Sequence, residues 1–597
     1  MSEGDATRQA QSWLKAFEAA LGRQDVAGAV GLFEEPGYWR DLVAFTWNIR
    51  TMEGRADIAS LLHATLAITG PRSWRLDGPA TMAGGVVEAW LSFETAVGRG
   101  RGYVRLRDGR CWTLLTALVE LKGFEEPRGR TRPKGIEHGA SKGRQSWLER
   151  KEHDEATFGY ERQPYCLIVG GGQAGLGLGA RLKRLGVPTL IVDALARPGD
   201  AWRRRYRSLC LHDPVWYDHM PYLPFPDHWP VFTPKDKMGD WLEAYGRVME
   251  LNYWPSTRCQ SAAYDAAAGE WTVVVAREGA PVTLKPKQLV LATGMSGVPL
   301  TPAFPGAENF AGTQHHSSAH PGGAAFRGKR CVVIGSNNSA HDIAADLWEH
   351  DAHVTMVQRS PTLVVRSESL MTLATGRLYS EEALAAGITT EKADFTAASV
   401  PFRLQPSMQR PIFERILEQD RAFYERLRAS GFMLEFADHA GLSAMYMRRG
   451  SGYYIDVGAS EMIVDGRIAL KAGVEVTRIE PRAVVLSDGS TLDADLIVYA
   501  TGYGSMNGWA AQLISQAVAD TVGKCWGLGS GTKGDPGPWE GELRNMWKPT
   551  RQEALWFHGG NLMQSRFFSQ FLALQLKARF EAIPTPVHGL AEVHHRA

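Results

Sequence analysis

Two glycine-rich turns in this 597-residue chain have the residue types that bind the phosphates of a dinucleotide. The first, Gly170-Gly171-Gly172-Gln173-Ala174-Gly175, fits the pattern G-x-G-x-x-G. It follows the apolar run CLIV, which predicts a strand, and it precedes a helical stretch. Glycine lets the backbone approach a pyrophosphate, and the N-terminus of the helix offers free N–H groups to it. The residues predicted to bind the cofactor are Gly170, Gly172, Gln173, Ala174 and Gly175.

An acid stands at the position where such a site needs one. Asp193 ends the apolar run Thr189–Val192 and lies 23 residues beyond Gly170. A carboxylate there accepts hydrogen bonds from the ribose hydroxyls of an adenosine and repels a 2′-phosphate. The glycine pattern alone would arise by chance about 0.7 times in so glycine-rich a chain, so the prediction depends on the strand, helix and acid around it. We predict that the first site binds FAD.

The second turn starts at Gly335 and has Asn337 and Ala340 at the other two glycine positions. Asn337 is unusual there, but asparagine tolerates a left-handed backbone better than most residues. The strand after the turn ends in Gln358-Arg359-Ser360 instead of an acid, and arginine can bind a 2′-phosphate. We therefore predict NADPH at this site, with NADH as a possible alternative. The residues predicted to bind it are Gly335, Ser336, Asn338, Ser339 and Arg359.

Two dinucleotides in one chain imply hydride transfer from a nicotinamide to a flavin. The six cysteines are far apart and form no C-x-x-C pair, which excludes a dithiol relay as the next electron carrier. Dioxygen or a diffusible acceptor remains.

The elements around the turns predict the fold class. From Tyr165 onward, short β-branched runs alternate with helical stretches, which is typical of an α/β fold with two Rossmann-like dinucleotide-binding domains. Upstream, apolar residues at helical spacing (Trp13, Phe17) give way near Gly85 to aromatic runs of period two. Arg107-Asp108-Gly109-Arg110 predicts a hairpin turn. This part of the chain predicts an α+β domain and resembles the NTF2-like or SnoaL-like cone fold.

We expect an α+β domain at 1–125, a linker at 126–163, a FAD-binding domain at 164–327 and 476–597, and an NAD(P)-binding domain at 328–475. The 66 Lys and Arg against 65 Asp and Glu argue against a nucleic-acid partner. The polar start and the lack of a long apolar run predict a cytoplasmic protein without a membrane segment. The N-terminal domain is expected to serve dimerisation or shielding instead of forming a ligand cavity of its own.

Further motifs resemble the class B flavoprotein monooxygenases. Phe310 to His316 fits F-x-G-x-x-x-H, and the other matching segments are Leu291–Gly294 with Pro299, Asp495–Tyr503 and Gly199–Trp202. The resemblance covers about residues 160–580. It implies that NAD(P)H reduces FAD, that dioxygen adds at flavin C4a, and that the resulting (hydro)peroxide oxygenates ketones by Baeyer–Villiger insertion or oxygenates nitrogen and sulfur atoms. It also implies cofactor contacts for Trp202, Thr293, Gly294, Thr501 and Gly502. A homodimer is expected from the N-terminal domain.

The catalytic residues implied by the resemblance are less specific. His320-Pro321 departs from both main subgroups, and with the N-terminal extension and His558–Arg566 the chain looks most like the type II flavin-containing monooxygenases. His316 is expected to gate the inter-domain linker, Arg449 to supply a cation, and His212 with Asp213 to lie beside the flavin. An ordinary surface arginine and a core histidine would explain the same residues. No metal site is expected, and the alternatives are a non-oxygenating flavin reductase or oxidase and a non-catalytic nucleotide-binding scaffold.

Overall fold

The N-terminal unit packs three helices against one seven-stranded sheet in the computed structural model, which describes residues 3–136, 138–436, 439–532 and 534–594. Its elements are α1 (Glu3–Gly22), α2 (Val26–Gly31), β1 (Phe33–Leu42), β2 (Ile49–Glu53), α3 (Arg55–Thr69), β3 (Arg72–Leu76), β4 (Thr81–Ala83), β5 (Val86–Glu94), β6 (Gly98–Arg107) and β7 (Arg110–Leu121).

The sheet of this unit has the order β2-β1-β7-β6-β5-β3, with β4 beside β5. All its pairs are antiparallel except β1 with β7. The predicted hairpin is confirmed, since Arg107 pairs with Arg110 and both turn residues, Asp108 and Gly109, have positive φ. Trp13 and Phe17 of α1 are buried against the sheet, as their spacing predicts. Strands β1 and β2, between the second and third helices, were not predicted.

The rest of the chain forms two further units. Helix α4 (Trp147–Thr157) lies in the expected linker, and the first unit then supplies β8 (Cys166–Val169), α5 (Gln173–Arg184), β9 (Thr189–Val192), α6 (Asp200–Arg203), α7 (Lys235–Val248), β10 (Tyr253–Trp254), β11 (Thr257–Asp265), β12 (Glu270–Arg277), β13 (Ala280–Leu284) and β14 (Gln288–Leu291).

The second unit follows with β15 (Thr313–His316), β16 (Arg330–Ile334), α8 (Asn338–Glu349), β17 (His353–Gln358), β18 (Thr362–Arg366), α9 (Ser367–Ser369), α10 (Glu381–Ala385), α11 (Thr390–Ala398), α12 (Gln405–Gln419), α13 (Arg421–Ala429), β19 (Leu434–Glu435), α14 (Gly441–Arg449), β20 (Tyr453–Asp456), α15 (Ala459–Val464), β21 (Ala469–Ala472), β22 (Val476–Glu480), β23 (Ala483–Leu486), β24 (Thr491–Asp493) and β25 (Leu496–Tyr499). The chain then adds α16 (Asn507–Leu513), α17 (Gln516–Val522), β26 (Leu555–Phe557) and α18 (Leu562–Phe580).

Each of the two units has a five-stranded, wholly parallel sheet. The order is β10-β9-β8-β14-β26 in the first unit and β15-β25-β16-β17-β21 in the second. Antiparallel three-stranded sheets are inserted in both, β11-β12-β13 in the first unit and β22-β23-β24 in the second. The predicted α/β architecture with two dinucleotide-type sheets is thus confirmed.

The expected domain boundaries are wrong in two places. Strands β15 and β25 were assigned to the FAD-binding domain, but both belong to the sheet of the second unit. The chain crosses between the units after β14 and again after β25, so the second unit extends from about residue 313 to residue 499. Within the part of the chain that the structure describes, no helix is long and apolar enough to cross a membrane.

Candidate cofactor and substrate sites

The first glycine turn connects β8 to α5, and two of its glycines are required by close backbone packing. Gly170 has φ +111°, and a Cβ there would lie 2.3 Å from the carbonyl oxygen of Ala292. A Cβ on Gly175 would lie 1.9 Å from the carbonyl oxygen of Gly170. Gly172 is different, because it precedes α5 and its Cβ would meet nothing within 4 Å. The space beside the helix N-terminus is therefore open, as a pyrophosphate requires.

Asp193 lies directly after β9 and is hydrogen-bonded to this turn. Its carboxylate accepts hydrogen bonds from the backbone N–H of Gly171, at 2.6 Å, and of Leu195, at 2.8 Å. Burial raises the pKa of Asp193, and the two N–H donors partly offset that shift. Each carboxylate oxygen keeps a lone pair for a further donor such as a ribose hydroxyl.

Polar atoms without partners surround the turn. The ring of Tyr253 covers Gly171, and neither its hydroxyl nor the buried Oγ1 of Thr293 has a hydrogen-bond partner among the described residues. The buried ring of His558 lies beside the backbone of Ala174, and burial lowers the pKa of His558 to about 3, so the ring is neutral. Buried polar groups are normally satisfied, so the residues around this turn fit a polar ligand such as a dinucleotide.

Gln173 and Trp202 connect this turn to the C-terminal helix. The indole Nε1 of Trp202 donates to Oε1 of Gln173, and Nε2 of Gln173 donates to the carbonyl oxygen of Gly560 at 3.4 Å. Asn561 caps α18 by accepting a hydrogen bond from the N–H of Gln564, and the Gln564 side chain accepts one from Asn561 in return. The N-termini of α5 and α18 thus lie at the same site.

The second glycine turn connects β16 to α8, and its first glycine is packed against a backbone carbonyl as in the first turn. Gly335 has φ +130°, and its Cβ would lie 2.4 Å from the carbonyl oxygen of Ala500. Asn337 precedes α8 with φ −101°, so it does not adopt the left-handed backbone that asparagine tolerates. Because the backbone at this middle position is extended, its conformation does not require a glycine. The side chain of Ser336 is hydrogen-bonded to the hydroxyl of Thr362, and the side chain of Asn338 accepts a hydrogen bond from the N–H of Ile455. The backbone groups of Ser336, Asn338 and Ser339, at the start of α8, are left for a ligand.

Arg359 lies at the end of β17, the strand that pairs with β16. It follows the last residue of β17, its side chain is exposed, and no described residue forms a hydrogen bond or ion pair with it. The buried side chain of Gln358 exchanges two hydrogen bonds with the backbone of Met433, which fixes the end of the strand. Arg359 is therefore a free cation on a rigid strand end.

His316 lies against the second crossing between the two units. Its Nδ1 accepts a hydrogen bond from the N–H of Ser318, so the ring proton is on Nε2, which donates to the carbonyl oxygen of Gly502 at 3.0 Å. Burial lowers the pKa of His316, which keeps the ring neutral. The ring also packs edge-on against Tyr503, 5.0 Å away. His316 thus joins the end of β15 to the segment that follows β25.

Four predicted cofactor residues end the strands at the two crossings. Gly294 after β14 and Gly502 after β25 have nearly equal positive φ values of +84° and +85°. The N–H of Leu300 donates to the carbonyl oxygen of Gly502, and the hydroxyl of Thr501 donates to the carbonyl oxygen of Leu300. The two crossing segments therefore run side by side as one connection between the units.

A large cavity of about 790 Å³ lies between all three units. Its wall includes Asp213, three tyrosines and the start of α18; these residues are Asp213, Tyr217, Tyr446, Tyr453, Asn561 and Gln564. Asn561 donates to the hydroxyl of Tyr217, and Tyr446 donates to Gln564. Burial raises the pKa of Asp213 to about 6, and the nearby His212 lowers it slightly. The cavity therefore meets the dinucleotide site at the N-terminus of α18.

His212 and Asp213 are not a pair. The Nε2 of His212 lies 3.4 Å from a carboxylate oxygen of Asp342 on α8. Burial lowers the pKa of His212, but the carboxylates of Asp342, Asp213 and Asp456 together raise it by more, so the net shift is upward. Asp213 lies on the cavity wall, whereas His212 joins the first unit to the second.

Arg449 is not part of the cavity wall. It ends α14, its side chain is exposed, and its Nε would lie 2.7 Å from a Cβ on Gly534. The side chain covers the backbone of a neighbouring loop and does not face Asp213. This position contradicts the catalytic role expected for Arg449, because a cation must touch the reacting oxygen to stabilise it.

The histidines near the second turn form a structural chain. His315 and His320 share a 3.0 Å ring contact, and His320 faces Asp346. Burial lowers the pKa of His315 to about 4. In the described ranges, no group of three or more His, Cys, Asp or Glu residues is arranged to hold a metal ion.

The sequence did not single out a buried ion pair that lies near the cavity. Arg566 of α18 donates two hydrogen bonds to the carboxylate of Asp394 on α11, at 2.9 and 2.8 Å, and two more to the carbonyl oxygens of Tyr217 and His219. Arg566 ends a segment that resembled the monooxygenases, which was the one signal available. Asp394 has no local signal, because its partner is far away in the chain.

Comparison with known protein sequences finds flavin monooxygenases. A family model described as flavin-binding monooxygenase-like matches residues 202–373. The indole-3-pyruvate monooxygenase YUCCA1 of Oryza sativa subsp. japonica is 31% identical over 351 residues, which are 57% of this chain and 77% of that protein.

Two solved structures are similar in architecture. A flavin-containing monooxygenase from Stenotrophomonas maltophilia has a TM-score of 0.46 at 20% identity, over 70% of this chain and 99% of that chain. OTEMO in complex with FAD and NADP has a TM-score of 0.49 at 18% identity, over 71% of this chain and 86% of that chain.

Proposed function

Because this chain belongs to the flavin-binding monooxygenase family, we propose that it binds FAD at Gly170–Gly175 and NADPH at Gly335–Ala340, and uses dioxygen to oxygenate a small organic molecule held in the large cavity. The protein is an oxidoreductase of the monooxygenase type. The observation that supports the proposal most strongly is the joint position of two helix N-termini, the uncapped one of α5 and that of α18, beside the cavity wall.

FAD, when bound, would supply the redox centre that accepts a hydride from a nicotinamide and activates dioxygen. The chain's own part is to hold it. Gly172 leaves room for the pyrophosphate, Asp193 offers lone pairs to the ribose, and Thr293 and Tyr253 have free hydroxyl groups nearby. The start of α18 offers N–H groups to the distal part of the cofactor.

The second turn would hold the nicotinamide nucleotide. The backbone N–H groups at the start of α8 are free for its pyrophosphate, and Arg359 is the cation available for a 2′-phosphate. No acid at this strand end binds the free 2′-hydroxyl of NADH, and a single arginine does not exclude NADH, so NADH remains the alternative nucleotide. His316 and Gly502 keep the two crossing segments together, so the geometry between the nucleotide sites depends on that hydrogen bond.

The cavity suits an organic substrate larger than a metabolite of a few atoms. Its volume of about 790 Å³ falls within the range of small-molecule sites. The hydroxyl groups of Tyr217, Tyr446 and Tyr453 and the carboxyl of Asp213 can orient a carbonyl, amine or sulfide near the start of α18. Both ketone insertion and oxidation at nitrogen or sulfur are compatible with this wall. The N-terminal α+β unit is proposed to have the NTF2-like or SnoaL-like fold, from its helix-first order and its sheet.

The test is product formation by the FAD-loaded full-length chain. The protein is incubated with NADPH, oxygen and a panel of a cyclic ketone, a tertiary amine and an aryl sulfide, and products are identified by mass spectrometry. An oxygenated product from any of them supports the proposal. NADPH consumption that yields hydrogen peroxide alone would instead identify a non-oxygenating flavin oxidase.

A further inference from the structure

The N-terminal unit supplies one wall of the large cavity. The strands of its sheet place Thr81, Glu88, Trp90, Tyr103 and Arg105 on the cavity lining, together with Arg40. The other walls come from the two dinucleotide units. We propose that this unit determines substrate specificity. In this proposal, Trp90 and Tyr103 favour uncharged, ring-containing molecules and limit the size of the ring that can bind. This inference rests on the proposed function, since it concerns the substrate of the same site.

The wall is held rigidly against the rest of the chain. Arg40 donates two hydrogen bonds of 2.7 Å to the carboxylate of Glu542 and one to the carbonyl oxygen of Ala398, and both charged side chains are at most 3% exposed. Arg105 donates to the hydroxyl and the carbonyl oxygen of Ser399. A covering domain attached by such contacts cannot rotate freely, so its side chains have fixed positions in the cavity.

The same interface is continuous with the protein core. Trp90 packs edge-on against Tyr103 at 4.7 Å and against Phe395 of α11 at 6.4 Å. Phe395 packs against Phe567 of α18 at 5.1 Å. Aromatic rings thus run from the N-terminal sheet to the helix whose start lies at the dinucleotide site. An aromatic or alicyclic substrate would extend this row of rings by edge or face contacts.

The charges on this wall are already neutralised. Arg40 is paired with Glu542, and Arg105 donates a 2.7 Å hydrogen bond to Glu88. The remaining basic residues on the lining, Arg377 and Lys392, have exposed side chains. Binding an ion against Trp90 and Tyr103 would leave its charge unpaired in an apolar space, which is costly. The ring-binding end of the substrate is therefore uncharged.

Trp90 is half-buried, so its side chain can be truncated without removing a core residue. The test variants are Trp90→Ala and the milder Trp90→Phe in the FAD-loaded full chain. Trp112→Ala is the matched control, because Trp112 lies on β7 of the same sheet, stacked under Arg107, and is not on the cavity lining. Flavin content and the thermal unfolding temperature of each variant show whether it is folded.

The measurement is the affinity for methyl phenyl sulfide and methyl naphthyl sulfide, by isothermal titration calorimetry, with benzoate as a charged probe. Trp90→Ala is expected to shift the ratio of the two sulfide affinities by about tenfold in favour of the larger ring, and Trp90→Phe by a smaller amount in the same direction. Trp112→Ala is expected to leave the ratio unchanged. Benzoate is expected to bind more weakly than either sulfide to the unaltered protein.

Several results would overturn the inference. An unchanged ratio in a folded Trp90 variant, tighter binding of benzoate than of the sulfides, or no binding of either sulfide to the unaltered protein would each do so. Turnover is measured separately. If the sulfides bind with the expected ratios but are not oxygenated, the proposed function fails while the role of the N-terminal wall stands.

Discussion

The carboxylate of Asp193 accepts a 2.6 Å hydrogen bond from the backbone N–H of Gly171, so the acid that ends β9 is joined to the turn that ends β8. This bond aligns the acid with the open space beside Gly172. The ribose-binding and phosphate-binding parts of the first site are therefore one rigid unit before any cofactor is bound.

Gly172→Ala is expected to weaken FAD binding while leaving the fold intact. The added methyl meets no protein atom within 4 Å, so it occupies only the space left for the pyrophosphate. We expect a rise of about tenfold in the dissociation constant for FAD, measured by titration of the apoprotein. Gly22→Ala, whose methyl also meets nothing, is the control and keeps normal affinity. Normal FAD affinity in Gly172→Ala would place the pyrophosphate elsewhere.

Arg359→Ala is expected to raise the KM for NADPH by about tenfold and to change the KM for NADH little, because only NADPH carries the 2′-phosphate. Steady-state oxidation of each nucleotide measures this. Arg327→Ala removes another exposed arginine of the same unit and serves as the control. Equal losses with both nucleotides would show that Arg359 does not contact the 2′-phosphate.

The pH dependence of substrate binding is expected to break near pH 6, where the carboxyl of Asp213 loses its proton. The pKa of Asp213 in the folded protein lies above the ordinary value of 3.8, so the folded state binds this proton more tightly than the unfolded state. The resulting contribution to stability is complete below pH 3.8 and is lost as the pH rises through 6. Asp213→Asn should remove the break in affinity and flatten the unfolding temperature over this interval. Asp240→Asn, at an exposed position, should retain both. A break that persists in Asp213→Asn would belong to another group.

Arg40→Ala is expected to destabilise the protein by about 3–5 kcal/mol, because it leaves the buried carboxylate of Glu542 without its main partner. The exposed pair of Arg403 with Glu53 gives the comparison, and Arg403→Ala is expected to cost about 0–1 kcal/mol. Denaturant unfolding followed by tryptophan fluorescence measures both. Similar losses in the two variants would mean that the Arg40 contact is not buried in solution.

Arg449→Ala is expected to keep normal turnover, since the side chain lies over Gly534 and away from the cavity. Steady-state kinetics with the best substrate of the panel checks this. A large fall in kcat with unchanged flavin content would restore the catalytic role that the sequence suggested.

The local parts of the fold could be predicted from the sequence, because each depends on neighbouring residues. The turn at Gly170 needs only the strand before it and the helix after it, and the hairpin at Asp108-Gly109 needs only two positive φ values. Strand β25 was assigned to the wrong unit, since its parallel partners β15 and β16 are remote in sequence. No local pattern reports which strands pair across such distances.

The substrate cavity could not be predicted for the same reason. Trp90, Asp213 and Tyr446 come from three units and meet only after folding. The sequence placed Asp213 near the flavin by resemblance, yet it gave no means of separating it from His212, whose partner is Asp342. The homodimer and the cytoplasmic location remain predictions.

Transfer of an oxygen atom from dioxygen to a product is the most direct test of the proposed activity. The FAD-loaded protein is supplied with NADPH, oxygen-18 gas and the substrate of the panel that binds most tightly, and the product is analysed by mass spectrometry. We predict one heavy oxygen atom per product molecule, with NADPH consumed in equal amount. NADPH oxidation that places all the heavy oxygen in hydrogen peroxide would contradict the assignment of a monooxygenase.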